Sequence, residues 1–416
     1  MEGMMKDLGK IVQPEEVGYD KERLEVLNTH FNRLIGEGKI QAAWYCLSRE
    51  GKIFARDGVG RASYKKNEKK VVSPDVVNGV YSITKLFTST AIFKLCEDGF
   101  IRPNQAVAEI LPEFNKPPFN GITIAHLLSH TSGLYPDNGC FNYEYISPWD
   151  FKFIKKNMSE KDSWLDAALK TGMHNKPGKE WAYSTFGFVV LGELIAKVTR
   201  MRAETYIRKA LLEPCKMEDS FFVNEFYFDL LPAEFAKRIL PKFYLAYEWS
   251  EASYNIIKDC AAGKKSDFLT NPNFSEHFRM KYSHSTTGNG LFSTVDDLNK
   301  FGRMLLNGGY TDEGVRIIGR KAIERMTENY TNPEIKDYCW GADGVYRMYG
   351  LGPDTRRTAD NQYSEGSYFH EGWGACCLLL DPKEKMVASW FIPWAKEGWF
   401  PAAIFNASAV MWSGLE

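Results

Sequence analysis

Two strand-turn-strand patterns stand at opposite ends of this 416-residue chain, and they constrain its fold more than any other feature. Near the start, QAAWYCLSREGKIFARDGVG reads as two strands around the turn REGK. Near the end, GACCLLLDPKEKMVASWFIPW reads as a second hairpin whose turn is built on Asp381, Pro382 and Lys383. Both ends therefore supply one antiparallel sheet, and whatever lies between them is inserted into it. YDKERLEVLNTHFNRLIGEG before the first hairpin and FPAAIFNASAVMWSGL after the second have the spacing of covering helices.

The middle of the chain is helical and loop-rich. ITIAHLLSHTSGL and FGFVVLGELIAKVTRMRAETYIRKALL carry helical periodicity, and STVDDLNKFGRMLLNGG opens on Ser293 or Thr294 as a cap and stops at glycines. The predicted class is α+β: an antiparallel sheet flanked by helices, formed by residues 1–80 and 286–416, with a mostly helical domain over 81–285. The stretch from Phe221 to His284 and the segment YRMYGLGPDTRRTADNQYSEG have turn chemistry but little period, as long loops lining a binding site do.

Lysine plus arginine (52) nearly equals aspartate plus glutamate (53), so no overall field recruits nucleic acid or an anionic membrane, and small molecules are the expected partners. The opening MEGMMKDLGKIVQPEEVGYD places acidic residues and a proline where a secretory peptide needs an unbroken apolar stretch, which predicts a cytoplasmic protein. The eight cysteines are scattered with no C-x-x-C pair, so free thiols are expected.

One helical stretch, GVYSITKLFTSTAIFKL, sets Lys85 three residues after Ser82 in apolar company. At its reference pKa near 10.4 a lysine is less than about 0.1% unprotonated at neutral pH and is a poor base. Desolvation that lowers the pKa by roughly three units disfavours the charged form by about 4 kcal/mol and lets the amine take a serine proton. Ser63 and Lys66 have the same spacing, but in the polar run RASYKKNEKK, where the lysines stay hydrated. Two further clusters stand out. EWAYSTFGFVVLGELI places Tyr183 before a small polar turn and a long helix, where a phenol can relay protons. YFHEGWGACCLLLDP places Gly372 and Gly374 where the backbone can approach a ligand and Trp373 can offer an amide to an oxyanion.

In this order, the three clusters resemble the serine beta-lactamase and penicillin-binding-protein-like superfamily, in its class C beta-lactamase and carboxylesterase-like branch. YSITK is similar to its S-x-x-K motif, YST to Y-x-N, and HEG to the K-T-G box in H-x-G form; PGKEWAYSTFGFVVLGELIAKVT and GNGLFSTVDDLNKFGRMLLNGG extend the likeness. The resemblance implies a site in the groove between the two domains, with Ser82 as nucleophile, Lys85 and Tyr183 as the base pair, and the amides of Ser82 and Trp373 as the oxyanion hole. Thr185, His370 and Gly372 fall at substrate-binding positions. No metal or organic cofactor is implied. The reaction would be two-step acyl transfer, with the choice of base between Lys85 and Tyr183 left open.

Two departures favour esters over lactams. Thr185 replaces the motif's asparagine and lacks its carboxamide, and His370 replaces a permanent cation with an imidazole mostly neutral at pH 7. The expected substrate is a small-molecule ester, with amides and lactams as alternatives: beta-lactamase or D-amino-acid peptidase action is the runner-up, with Arg347, Arg356 or Arg357 restoring the missing charge. A non-catalytic penicillin-binding-like protein is the rival of another kind. The chain has no G-x-S-x-G elbow and no H-E-x-x-H pair, and the HTSG around His130 reads as a helix-end turn.

Overall fold

The computed structural model describes residues 11–65, 67, 69–148, 164–228, 230–247, 250–264, 285–356, 362–393 and 400–416. In chain order its strands are β1 (Ala42–Arg49), β2 (Lys52–Gly60), β3 (Asn78–Gly79), β4 (Phe221–Phe222), β5 (Leu291–Ser293), β6 (Lys336–Asp337), β7 (Val345–Tyr346), β8 (Tyr368–Gly372), β9 (Cys376–Asp381) and β10 (Met386–Phe391). Five helices carry the argument: α1 (Glu22–Gly36), α2 (Thr84–Glu97), α3 (Thr185–Thr199), α4 (Val295–Leu306) and α5 (Phe400–Trp412).

The main sheet runs β2-β1-β10-β9-β8, all antiparallel. The two terminal hairpins meet along β1 and β10, from Trp44 opposite Phe391 to Arg49 opposite Met386. Each hairpin closes on specific turn chemistry. Glu50 and Gly51 both take positive φ (52° and 79°), the twist that suits a two-residue connection. The buried Asp381 carboxylate accepts from the amides of Lys383 and Glu384 and from the Trp412 indole, so one side chain shapes the second turn and docks α5.

Alternation along the strands divides the core into two layers. Tyr45, Leu47, Leu379, Ala388 and Trp390 face α1 and α5 through Leu27, Phe31, Ile404 and Met411. Trp44, Cys46, Leu378, Leu380 and Val387 point the other way, onto Leu298 and Phe301 of α4 and onward into α2 and α3. Thr294 caps α4 by accepting from the Asp297 amide at 3.1 Å. α2 is buried around nearly its whole circumference, so its N-terminal turn is the part left for chemistry.

The unassigned stretch after Phe221 holds helices at Val223–Tyr227, Ala233–Ile239 and Ser250–Ala261. Their aromatic and β-branched residues pack in a separate cluster around Phe221, Phe226, Ile239 and Ile256. The long pattern beginning at Phe186 is interrupted, because Arg200 takes a left-handed conformation (φ 57°) that ends α3. Cys140 and Cys339 form a disulfide across 199 residues, against the expectation of free thiols, while the other six cysteines are free. A disulfide is uncommon in a reducing cytoplasm, so the cytoplasmic expectation loses that support. No helix among the described residues is long and apolar enough to cross a membrane.

The sheet-facing side of α4 has no spare volume at Gly302, where an added Cβ would lie 2.5 Å from Val387 Cγ1. Gly302→Ala is expected to destabilise the protein by about 1–3 kcal/mol in urea denaturation. Gly36→Ala, at the open end of α1 where an added Cβ meets nothing within 4 Å, should be neutral or stabilising. Equal effects of the two substitutions would contradict this packing.

Candidate active site

The turn carrying Ser82 is gripped from several sides. Val80 donates its amide to Leu291 at 2.9 Å, and Thr84 Oγ1 accepts from the Leu291 amide at 3.1 Å. Residues Tyr81–Ile83 form a 3-10 turn ahead of α2, so Ser82 precedes the α-helix rather than beginning it, and Tyr81 holds φ at 46°, a strained value for a large side chain. The β8 end presses against this turn. A Cβ on Gly372 would lie 2.4 Å from Val80 O, and one on Gly374 would lie 2.6 Å from the Tyr81 ring. These glycines were expected to admit a ligand; the close approach they permit is to the serine's own turn. Trp373 lies between them, in the tight β8–β9 connection and not within a strand edge, with its side chain largely exposed.

Lys85 is wholly buried. Its Nζ lies 3.1 Å from Ser82 Oγ, 3.1 Å from Thr185 Oγ1 and 2.8 Å from Gly288 O. Desolvation pushes the amine down to about 7, opposed by the negative charge of Asp137. The Tyr183 ring stands 4.8 Å from Nζ and the Phe188 ring 5.4 Å, so the amine's other neighbours are aromatic faces. Gly288 reaches the amine because it has no side chain: a Cβ there would lie 2.6 Å from Thr185 Cγ2.

Tyr183 hydrogen-bonds Ser82, and burial holds its phenol well above the usual range despite that bond. Its ring rests on His130, 4.3 Å between centroids. His130 is itself buried, accepts the Ser184 amide at 3.1 Å, and is kept neutral by burial, which makes it a support beneath the tyrosine. Ser82, Lys85, Tyr183 and Thr185 are thus brought together.

Asp137 joins them without having been singled out from the sequence. It accepts from the Thr185 hydroxyl at 2.6 Å and from the Thr185 amide at 2.9 Å. In the sequence it belongs to LYPDNG, a stretch with ordinary turn chemistry, and 48 residues separate it from its partner. No local pattern could have joined the two.

His370 lies beside the site but its ring is committed to the protein. Nδ1 faces the Glu371 carbonyl at 2.7 Å and Nε2 faces the Tyr349 hydroxyl at 3.2 Å. Burial and the nearby Lys85 charge push it down to about 3, so the imidazole is neutral. The arginines considered as substitute cations are paired. Arg347 donates to Asp354 at 2.6 Å and lies 3.5 Å from Asp337; Arg356 donates to Glu371 at 3.1 Å and lies 3.5 Å from Asp354. Arg357 falls outside the described residues.

A sequence model of the family described as Beta-lactamase matches residues 27–403. Protein flp of Staphylococcus aureus (strain NCTC 8325 / PS 47) is 32% identical over 201 residues, 47% of this chain and 38% of that protein, so the match spans little more than a third of that relative's length. Among solved structures, a penicillin-binding protein homolog from Caulobacter crescentus superposes with a TM-score of 0.66 at 18% identity, covering 96% of this chain and 99% of that one. A family VIII carboxylesterase superposes with a TM-score of 0.65 at 20% identity, covering 94% and 98%. At these identities the structural likeness concerns the fold.

The lowered proton affinity of Lys85 makes a prediction about stability. The folded protein releases this proton near pH 7 while the unfolded chain holds it to about pH 10.5, so burial of the amine weighs fully against folding below pH 7. The penalty lifts as pH rises through that window. Relative to Lys85→Met, the wild type should gain about 1.4 kcal/mol per pH unit between pH 7 and 9.5 in urea denaturation, and nothing below pH 6. A difference independent of pH would show that the amine is not desolvated.

Proposed function

The chain belongs to the beta-lactamase family, and from that premise we propose that it is a serine hydrolase working through an acyl-enzyme, with Ser82 as nucleophile and uncharged esters as substrates. The observation that carries this reading is the fully buried Lys85 amine, pushed down to about 7 and 3.1 Å from Ser82 Oγ.

Hydrogen-bond direction supports Lys85 as the base. The Thr185 hydroxyl gives its one proton to Asp137, so its oxygen can only accept from the amine. Gly288 O is also an acceptor. A neutral amine therefore spends both N–H groups on Thr185 and Gly288, and its lone pair faces Ser82. The Tyr183 phenol, protonated at neutral pH, is suited to donate.

In acylation, Ser82 Oγ bonds to the ester carbonyl carbon as its proton passes to Lys85. The amides of Ser82 and Trp373 receive the oxyanion beside the turn that leads into α2. The carbon–oxygen bond to the alcohol then breaks, and the departing oxygen takes a proton from Tyr183, which the Lys85 ammonium replenishes. Water attacks the acyl-enzyme with the same base and releases the acid.

Charge supports esters over penicillins and D-amino-acid peptides. Those carry a carboxylate, and the neutral His370 and the paired Arg347 and Arg356 leave it no partner among these candidates. Thr185 fits the same view, because its hydroxyl holds the lysine and Asp137 instead of binding a substrate amide.

Short-chain nitrophenyl esters should be cleaved with a burst, and a chromogenic cephalosporin should be turned over at least about tenfold less efficiently; the opposite ranking would favour a lactamase. A fluorophosphonate should label the wild type and not Ser82→Ala, and absent or equal labelling would favour a non-catalytic protein. Removing the negative charge that raises Lys85, in Asp137→Asn, should move the acidic limb of kcat/KM below pH 7 and lower the plateau. An unmoved limb would mean that Asp137 does not act through the amine.

A further inference from the structure

Trp340 is built in a way its own stability does not explain. The indole is 56% exposed, yet its backbone sits at φ 51°, followed by Gly341 at φ 88°. The Ala342 amide returns to the Cys339 carbonyl at 3.0 Å, so tryptophan occupies the first central position of a tight turn where glycine or asparagine is unstrained. Strain in an exposed bulky residue persists when the surroundings impose it, and such positions cluster at functional sites.

The surroundings impose it on three counts. The preceding Cys339 is tied by disulfide to Cys140. The Trp340 amide donates to Gly139 O at 2.7 Å, and the indole lies so close over Gly139 that a Cβ there would be 2.7 Å from Cδ1. The Trp340 ring then meets the Tyr183 ring at 5.1 Å, the same tyrosine whose hydroxyl bonds Ser82. A large apolar surface is thus held at a fixed angle one ring away from the serine and left open.

We propose that Trp340 is the platform for the leaving group, receiving the apolar and especially aromatic alcohol portion of the ester. This rests on the acyl-enzyme reading above. There the departing oxygen takes its proton from Tyr183, so the alcohol lies on the Tyr183 side of the scissile bond, where the indole stands. Indole stacking favours flat apolar groups over small alkyl ones.

The test compares Trp340→Ala and Trp340→Phe with wild type on acetates sharing one acyl group, phenyl acetate against ethyl acetate. In Trp340→Ala, kcat/KM for phenyl acetate should fall roughly five- to tenfold, with ethyl acetate within about twofold. The kcat for phenyl acetate should stay within about twofold, because deacylation of the common acetyl-enzyme begins after the alcohol has gone. Trp340→Phe should recover most of the loss. Equal losses on both esters, or a changed kcat, would overturn the proposal and make the indole a prop for Tyr183 or an acyl contact. A wild type that labels and bursts but shows a flat alcohol series defeats this inference alone; one that does neither takes the acyl-enzyme reading with it.

Discussion

Exclusion of water from one amine organises the centre of this molecule. Lys85 sits on a helix buried around nearly its whole circumference, and an ammonium there meets three oxygen atoms and two aromatic faces in place of solvent. Several otherwise unrelated features serve that condition. α2 is buried around most of its circumference, Gly288 brings a carbonyl where any side chain would collide with Thr185, and the Phe188 ring of α3 lies 5.4 Å from the amine. Full burial of this kind disfavours the charged form by several kcal/mol at neutral pH, a large fraction of a domain's stability. The two-layered core built on the terminal hairpins is what offsets it.

The second constraint is directional. A lone buried amine would be a base with no preferred partner, and its hydrogens could turn toward Ser82 as readily as its lone pair. Asp137 removes that freedom through Thr185. Because the carboxylate takes the threonine proton, the threonine oxygen must accept, and the order of donors runs from amine to hydroxyl to carboxylate. A carboxylate in direct contact with the amine would instead hold it charged. Interposing a hydroxyl keeps the charge at a distance, where it tempers the effect of desolvation without reversing it.

How much of this was legible in the sequence depended on how far apart the partners are. The hairpins, their turn at Asp381 and a cap at Ser293 or Thr294 were readable because turn and cap chemistry acts within about four residues. Ser82 and Lys85 were readable for the same reason, although the groups that enclose the amine, Tyr183, Thr185, Phe188 and Gly288, come from distant segments. What escaped notice joins distant segments: Cys140 with Cys339, Asp137 with Thr185, and Gly372 with Val80. A missing side chain signals close approach without saying to what, and at Gly372 and Gly374 the partner found is the turn that carries Ser82. The helices after Phe221 were hard to read because the first two are only five and seven residues long, too short to display a period.

The charge arrangement around β8 links the fold to the proposed preference for uncharged substrates. Arg347 and Arg356 with Asp337, Asp354 and Glu371 form a chain of alternating charges behind the wall that carries His370, and Arg347 also lies 4.4 Å over the Trp181 ring. Such a network consumes its own positive charge, because each guanidinium donates to a carboxylate of the protein. An incoming carboxylate would have to displace one of those partners and leave it buried and unpaired, a heavy penalty in a low-dielectric interior. A neutral acyl compound meets no such competition. Around the Tyr183 ring the structure gathers the Ser82 hydroxyl, the buried Lys85 amine and the open face of Trp340, none of which calls for a charged substrate.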